Sequence, residues 1–247
     1  KSGSSGNDGT FTCEIDDVKI YNGVTNETAR RQHAWWYFSG NSSGTVNGGW
    51  TTNVYDNWSI TDNQSYGSEH TVYTMNDEVD GGFKVTTASA STDAFTLTPS
   101  ANQSIRWIDS EASVWIAQMK LYQSTNVQCE VGTKEDTSTA TARNQNQFIC
   151  STDYAGYNGN WQFQSTTFGQ AGQTTDTTNP IDTDWHLFKG EATSSGVQGT
   201  MDNVLVADHT GSNKPSGKVN FNIMVRNSVS NMASRSMAVN YVEAYNT

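Results

Sequence analysis

The chain has 247 residues, a net charge of −11 and only 16% charged residues, so Ser, Thr, Asn, Gln and Gly supply most of its polarity. An acidic surface repels nucleic acid and anionic lipid, which argues against either as a partner. No apolar run approaches the roughly 20 residues that a membrane span needs. The 8 Trp, 10 Tyr and 9 Phe residues exclude a disordered chain. This length is compatible with one all-β domain.

The first segment, residues 1–12 (KSGSSGNDGTFT), is predicted to be an arm, followed by a single β-sandwich domain over residues 13–247. The arm has no core of its own, and ordering it costs about 1–2 kcal/mol per residue. We therefore expect it to be held by the domain or by a neighbouring copy, which predicts self-association. The first residue is Lys, which favours a mature secreted chain over a chain boundary of another origin.

Short strand-like runs separated by Gly, Asn and Ser follow from residue 33 onwards. The first group contains Trp35, Trp36, Trp50 and Trp58, and later runs end at Pro99. The most apolar run is 113–122 (SVWIAQMKLY), which predicts a central strand. Its alternation puts one set of residues on a single face: Ser113, Trp115, Ala117, Met119 and Leu121.

The second half contains further strand-like runs and a closing ribbon. The runs are NVQCEVG (126–132), NQFICS, NWQFQSTTF and TDWHLFKGEA (183–192). In the ribbon, Asp202 and Asn203 tolerate the positive φ of a two-residue hairpin turn. No helical periodicity of ten or more residues and no repeat is evident, which predicts an antiparallel sandwich or barrel.

Four segments carry a resemblance: WHLFKGEA (185–192), VQGTMDNVLVADHTG, KPSGKVNFNIMVRN and SMAVNYVEAY. In this order they resemble the last strands of the concanavalin A-like lectin/glucanase (LamG-like) superfamily. The resemblance covers roughly residues 113–247. It implies an all-β fold, an antiparallel two-sheet jelly-roll sandwich. It says little about function, because this fold hosts lectins, glycosidases, lyases, viral fibres and adhesion modules.

The resemblance also implies a candidate structural Ca²⁺ site. Asn240 stands where many relatives carry an Asp that helps to hold the ion. Glu14, Asp16 and Asp17 lie beside the N-terminal strand, which in this fold lies near the last strand. Oxygen ligands of this kind suit a hard cation.

The retaining glucanases of this fold carry an E-x-D-x-x-E motif, because hydrolysis needs two carboxylates about 5–10 Å apart. Glu78 and Asp80 supply its first half, but Phe83 occupies the position of the second Glu. Asp109 and Glu111 form a D-x-E pair without a third carboxylate. The text therefore favours a non-catalytic protein, although a catalytic pair built from distant strands stays open.

A polar patch on the open face of a sheet is the candidate glycan site. Its side chains alternate along two neighbouring runs, and one aromatic residue near a loop is added for stacking on a sugar ring: Gln128, Glu130, Arg143, Gln145, Gln147 and Trp161. Amides and carboxylates hydrogen-bond hydroxyl groups. The alternatives are an ordinary solvent face for the polar residues and core packing for the tryptophan.

Three cysteines are present, and Cys129 and Cys150 each lie in a strand-like run, so they form either a cross-strand disulfide or two buried thiols. Cys13 is then the odd one. Five sequons permit N-glycosylation of a secreted protein: Asn26, Asn41, Asn57, Asn63 and Asn102.

These observations support three hypotheses. The first is a non-catalytic structural or assembly subunit at a cell or virion surface, such as a fibre, decoration, surface layer or appendage. The second is a lectin-like adhesion module that binds a carbohydrate ligand, and both can hold together. The third is a secreted glycoside hydrolase or polysaccharide lyase of the same fold.

Overall fold

The computed structural model describes the following residues, to which all structural statements below apply: 33–37, 43–47, 51–55, 58–62, 70–75, 83–87, 94–99, 108–109, 113–135, 147–152, 158–169, 171–211, 214–227 and 233–246. They all belong to the unit Arg31–Thr247. The predicted arm and residues 13–32 lie outside the described residues.

Within these ranges the chain forms strands throughout and no α-helix, which confirms the all-β prediction. The strands are β1 (His33–Tyr37), β2 (Ser43–Asn47), β3 (Thr51–Tyr55), β4 (Trp58–Asp62), β5 (His70–Met75), β6 (Phe83–Thr86), β7 (Ala94–Pro99), β8 (Ile108–Asp109), β9 (Ser113–Leu121), β10 (Val127–Lys134), β11 (Gln147–Ser151), β12 (Asn160–Thr166), β13 (Gln173–Pro180), β14 (His186–Ala192), β15 (Gly196–Met201), β16 (Val204–Thr210), β17 (Lys218–Asn227) and β18 (Ser236–Asn246).

The strands form two antiparallel sheets. Sheet A has the order β16-β15-β14-β9-β18-β6-β5-β2, and β1 also pairs with β18. Sheet B has the order β13-β12-β11-β10-β17-β7-β4-β3, and β8 also pairs with β17. The predicted two-sheet jelly-roll sandwich is therefore confirmed. No helix among the described residues has the length and apolar character to span a membrane.

The core lies between the two sheets and is built from the alternate residues of each strand. In β9, Trp115, Ala117, Met119 and Leu121 are buried on one face, as the sequence predicted. On the other face Ile116, Gln118 and Lys120 are partly exposed, whereas Val114 is buried. Trp115 of sheet A contacts aromatic rings of sheet B at centroid distances of 5.9–6.4 Å: Phe148, Phe163 and Phe221. These rings fix the spacing between the sheets.

Two glycines make room for this aromatic layer. Gly190 of β14 and Gly199 of β15 are cross-strand partners. A Cβ added at Gly190 would lie 2.3 Å from the Trp115 ring, and one at Gly199 would lie 2.4 Å from the Phe163 ring. The absence of side chains at this pair lets the rings lie flat against the backbone of sheet A.

The closing ribbon completes both sheets, as predicted. β15 and β16 form a hairpin in sheet A, and both turn residues, Asp202 and Asn203, have positive φ values of 51° and 66°. β17 then crosses to sheet B, and β18 returns to sheet A. The sequence analysis did not predict β13. Its polar segment QTTDTTNP forms the outer edge strand of sheet B beside β12.

Candidate functional site

The outer face of sheet B is lined by polar side chains, and we call it the polar face. In each of its central strands the alternate residues enter the core, so the residues between them point outward. In β17, for example, Phe221 and Ile223 belong to the core, whereas Asn220 and Asn222 lie on the outer side. The polar face comprises Thr96, Gln128, Glu130, Lys134, Gln147, Ser151, Gln162, Gln164, Asn220 and Asn222.

Three residues of the predicted glycan patch lie on this face. Gln128 and Glu130 come from β10 and Gln147 from β11. In the β10–β11 register, Gln147 is opposite Lys134 and Ser151 is opposite Glu130. Gln147 therefore shares the face with Gln128 and Glu130 but lies towards the opposite end of β10. Arg143 and Gln145 lie outside the described residues, so their placement stays a prediction.

The prediction for Trp161 is wrong. Its side chain is 1% exposed and packs in the core against Phe188, with the ring centroids 4.7 Å apart. Position 161 has the same parity in β12 as Phe163, which also faces the core. The Gly and Asn residues before it indicated a loop, but β12 begins at Asn160. Trp161 is thus a structural residue and not a platform for a sugar.

Several hydrogen-bonding groups of the polar face lack partners among the described residues. Thr96, Ser151, Gln164, Asn220 and Asn222 are each at most 2% exposed, and each has at least one side-chain polar atom without a hydrogen bond. Both amide atoms of Asn220 and of Asn222 are in this state. A buried polar group without a partner costs about 1–3 kcal/mol, so these groups call for a further partner.

A buried ion pair crosses the same face. Lys134 is fully buried, and its Nζ lies 2.8 Å from Oε2 of Glu130, four residues earlier in β10. The residue between them on this side is Gly132, which has a φ of 141° and whose added Cβ would lie 2.4 Å from the carbonyl oxygen of Phe148. Glycine is therefore required at this position.

The sequence analysis did not identify Thr96, Lys134, Ser151, Gln164, Asn220 or Asn222 as site residues. A usable signal was present in the text VNFNIMV (219–225), where Asn alternates with large apolar residues. An asparagine on the outer side of a strand whose inner side is apolar marks a polar sheet face.

Catalysis by paired carboxylates finds little support on this face. Among the described side chains of β7, β17, β10, β11 and β12 that point outward, Glu130 is the carboxylate, and it is paired with Lys134. Asp176 of β13 lies three strands from β10 and accepts hydrogen bonds from Asn158 and Asn160. Of the E-x-D text, Phe83 belongs to the core, and Glu78 and Asp80 lie outside the described residues. Glu111 of the D-x-E pair lies outside them as well.

The candidate Ca²⁺ site is described at one residue only. Asn240 is 8% exposed, and its Nδ2 donates to Oε1 of Gln118 at 3.1 Å. Its Oδ1 has no hydrogen-bond partner among the described residues, so it suits a hard cation. Glu14, Asp16 and Asp17 lie outside the described residues. The structure shows no cluster of three or more His, Cys, Asp or Glu residues within its described part, and the Ca²⁺ site stays a prediction.

The five predicted glycosylation sites also remain predictions, because every one lies outside the described residues: Asn26, Asn41, Asn57, Asn63 and Asn102.

The predicted Cys129–Cys150 disulfide is corrected by the register of β10 and β11. Both residues are buried free thiols, the alternative that the sequence had left open. Cys150 is opposite Val131, and the backbone of Cys129 pairs with Thr152, so the cysteines are diagonal neighbours. Such neighbours lie about 7–8 Å apart, beyond the usual span of a disulfide.

We expect both thiols to be inert in the folded protein. Burial raises the pKa of Cys129, with the charge of Glu130 adding to the effect, and burial also raises the pKa of Cys150. Because the thiolate is the nucleophile, iodoacetamide should modify neither residue in the native protein and both in denaturant without reductant. Mass spectrometry of the labelled peptides measures this. A lack of labelling in denaturant would instead indicate a disulfide.

Two histidines form hydrogen bonds with different kinds of partner, carboxylates for His186 and hydroxyl groups for His209. His186 Nδ1 lies 2.7 Å from Asp202 and its Nε2 lies 2.9 Å from Asp182, so it joins the hairpin turn to the segment before β14. His209 is 1% exposed and bridges the sheets, with Nδ1 near Ser165 at 2.8 Å and Nε2 near Thr175 at 2.9 Å. Neither histidine forms a nucleophilic triad with a carboxylate and an accessible hydroxyl.

These contacts predict an optimum of stability near pH 6.5. Burial lowers the pKa of His186, but its bonds to Asp202 and Asp182 and their charges outweigh this and raise it above 6.5. That stabilisation is therefore lost as the pH rises through the folded-state value. Burial lowers the pKa of His209, so its stabilisation is lost as the pH falls below 6.5.

The measurement is urea unfolding between pH 5 and 9. The variant His186→Gln should lose about 1 kcal/mol of unfolding free energy at pH 6, a modest amount because both carboxylate partners are substantially exposed. At pH 9 the loss should be smaller, because His186 is then uncharged in the wild-type protein as well. His209→Gln should reduce only the loss of unfolding free energy that the wild-type protein shows below pH 6.5. If His186→Gln instead loses the same free energy at every pH, the charged pairing is contradicted.

With this geometry in view, similar solved structures identify the fold. The apo Crh5 transglycosylase aligns with a TM-score of 0.56 and 13% identity, over 87% of this chain and 85% of that chain. The laminarinase from Flavobacterium sp. UMI-01 aligns with a TM-score of 0.55 and 14% identity, over 86% and 99%. The Emp47p carbohydrate recognition domain aligns with a TM-score of 0.51 and 12% identity, over 79% and 90%.

The fold is the concanavalin A-like jelly roll. At these identities the likeness concerns the fold alone, and no family model and no curated protein matches the sequence. The resemblance stated from residues 113–247 is thus confirmed at the level of the concanavalin A-like fold, over most of the chain.

Proposed function

We propose that this chain is a non-catalytic glycan-binding protein whose ligand lies against the polar face of sheet B. The observation that carries the proposal is the set of buried hydrogen-bonding groups on adjacent strands that lack partners among the described residues. This set comprises Thr96, Ser151, Gln164, Asn220 and Asn222. Sugar hydroxyls both donate and accept, so they complement amide and hydroxyl side chains.

The similar structures support a carbohydrate ligand, because they are a transglycosylase, a laminarinase and a carbohydrate recognition domain. The correction at Trp161 also defines the kind of site. Recognition rests on hydrogen bonds in an enclosed face and not on stacking against Trp161. Since Glu130 is neutralised by Lys134, the described face favours neutral sugars over charged ones.

The non-catalytic part of the proposal rests on the carboxylates. Hydrolysis with either stereochemical outcome uses two carboxyl groups about 5–10 Å apart. The described central strands of the polar face offer Glu130, held by Lys134. The alternative, a secreted carbohydrate-active enzyme, predicts release of reducing ends from a bound polysaccharide, which a reducing-sugar assay detects.

The test is an array of neutral and acidic oligosaccharides, followed by calorimetry with the best ligand and a triple variant. The variant Thr96→Val, Ser151→Ala, Asn220→Leu removes hydrogen-bonding groups and nearly keeps their shape. Each lost bond should weaken binding by about 0.5–1.5 kcal/mol, up to about tenfold in Kd. Because these atoms have no partner among the described residues, the free energy of unfolding should be unchanged or higher.

The matched control is Gln198→Met, an amide on the other sheet that should leave binding unchanged. Binding of the triple variant with wild-type affinity would place the ligand elsewhere. Reducing ends released by the wild-type protein would overturn the non-catalytic assignment.

We further propose that the protein acts as a structural or adhesive subunit outside the cell, at a cell surface or on a virion. The small fraction of charged residues, the abundance of uncharged polar residues and the predicted arm over residues 1–12 support this. Light scattering compares the full chain with a variant lacking residues 1–12. Assembly of the full chain and a monomeric truncation are expected, and two monomers would contradict assembly through the arm.

A further inference from the structure

The ion pair on the polar face holds a lysine that is wholly withdrawn from water. The Lys134 residue is 0% exposed, and its Nζ lies 2.8 Å from Glu130 on the same strand. The two residues are four positions apart, so the aliphatic part of Lys134 runs along β10 across Gly132. The reactive end of the side chain is therefore placed near the middle of sheet B.

An asparagine with an unpartnered amide lies beside this contact. Asn222 of β17 is the cross-strand partner of Gly132, and directly opposed residues have Cα atoms about 4.5–5.5 Å apart. Asn222 is 0% exposed, and neither its Oδ1 nor its Nδ2 has a hydrogen-bond partner among the described residues. The carboxamide of Asn222 thus faces the glycine that lies between Glu130 and Lys134 on β10.

The cross-strand neighbours of this cluster are buried, but some are polar. Lys134 is opposite Asn220 on β17 and Gln147 on β11, and Glu130 is opposite Ser151 on β11; each is at most 3% exposed. Met224 is opposite Glu130, and Ile149 is opposite Gly132 on β11. Both are at most 1% exposed. A dry environment disfavours a separated ammonium and carboxylate, and it activates a lysine amine as a nucleophile by desolvation.

We propose that Lys134 and Asn222 form an intramolecular isopeptide bond, with Glu130 as the proton-transfer group. The Lys134 ammonium passes a proton to the Glu130 carboxylate. The lone pair of Nζ then attacks Cγ of Asn222, and a bond forms between them. The C–N bond to the side-chain nitrogen breaks, and that nitrogen leaves as ammonia after receiving one proton from the Glu130 carboxyl group. The Glu130 carboxylate then takes up the remaining proton of the attacking nitrogen.

The atoms balance without an oxidant, a cofactor or a further reactant. One amine and one carboxamide give one secondary amide and one ammonia. Proximity on paired strands replaces a collision between separate groups. The product removes a buried charge and gives Asn222 a covalent partner in place of its missing hydrogen bonds.

The bond would fasten β10 to β17, the two central strands of sheet B. The two proposals share Asn222 and the Lys134–Glu130 pair, but their tests use different readouts. The intact mass reports the bond alone, and the triple variant at Thr96, Ser151 and Asn220 reports glycan binding alone, so failure of one test is distinguishable from failure of the other.

The test is the intact mass of the purified wild-type protein under denaturing conditions. The expected result is a mass lower than that of the sequence by one ammonia, and a tryptic product in which the peptides of Lys134 and Asn222 are joined. Glu130→Ala and Asn222→Ala should each restore the full sequence mass. The control Lys189→Ala changes a partly exposed lysine of sheet A, paired with Glu191 at 2.6 Å, and should keep the deficit.

A wild-type mass equal to that of the sequence overturns the proposal, whether or not the variants fold. A deficit that maps to Asn158–Gly159 also overturns it, because a succinimide at an Asn-Gly pair loses the same ammonia. A link through Asn220 in place of Asn222 would overturn the assignment of the acceptor.

Discussion

The variant Trp115→Ala is expected to lose about 3–5 kcal/mol of unfolding free energy, the usual cost of removing a large buried aromatic side chain. Trp115 is fully buried and contacts three phenylalanine rings of the opposite sheet. Its removal therefore leaves a cavity where the two sheets meet. Because domains are stable by about 5–15 kcal/mol, the loss should be visible as a large shift of the urea midpoint.

The control is Ile116→Ala, the next residue on the same strand. Ile116 is on the outer face and only partly buried, so its truncation should cost about 1 kcal/mol. Equal losses for the two variants would contradict the assignment of Trp115 to the centre of the core.

The second large effect is expected at the glycine pair. The variant Gly199→Val should lose about 1–3 kcal/mol or more, because its Cβ would lie 2.4 Å from the Phe163 ring. Sheet A or the ring must move to admit the new side chain. Thermal and urea unfolding measure the loss.

A double-mutant cycle makes this prediction specific. The cost of Gly199→Ala should fall when Phe163→Leu has already made room for the added methyl group. The neighbouring substitution Thr200→Val, on the outer side of β15 and without a change of volume, serves as the control. Additive losses from Gly199→Ala and Phe163→Leu would contradict a direct clash between them.

The sequence predicted those parts of the fold in which alternation is strong. β9 shows this best, because Trp115, Ala117, Met119 and Leu121 alternate with the partly exposed Ile116, Gln118 and Lys120. The turn at Asp202 and Asn203 was predictable for a local reason, since these residue types tolerate positive φ. Both predictions depend on neighbours in the chain and not on distant contacts.

The weaker predictions depended on distant contacts. β13 has no apolar alternation and is held as a strand by pairing with β12. Cys129 and Cys150 lie on adjacent strands as expected, but the pairing register offsets them by two residues. Trp161 looks like a loop residue from its local text, and only the packing against Phe188 reveals its place.

The candidate site shows the same division. Alternation in β10 correctly placed Gln128 and Glu130 on one face. The pairing of Asn222 with Gly132 joins two strands that are far apart in the sequence. Lys134 and Glu130 lie on one strand, four residues apart, but their contact is not implied by the period-two alternation. No local pattern could predict which polar residues would be buried together without partners.

The position of the last strand sets the order in which the protein can fold during synthesis. β18 lies at the centre of sheet A, between β9 and the strands β6 and β1. β17 has the equivalent place in sheet B. While the ribosome is still making these residues, both sheets lack their middle and the earlier strands have open edges. Non-local pairing of this kind is slow, so the nascent chain must stay unaggregated until β18 emerges, and the sandwich closes only then.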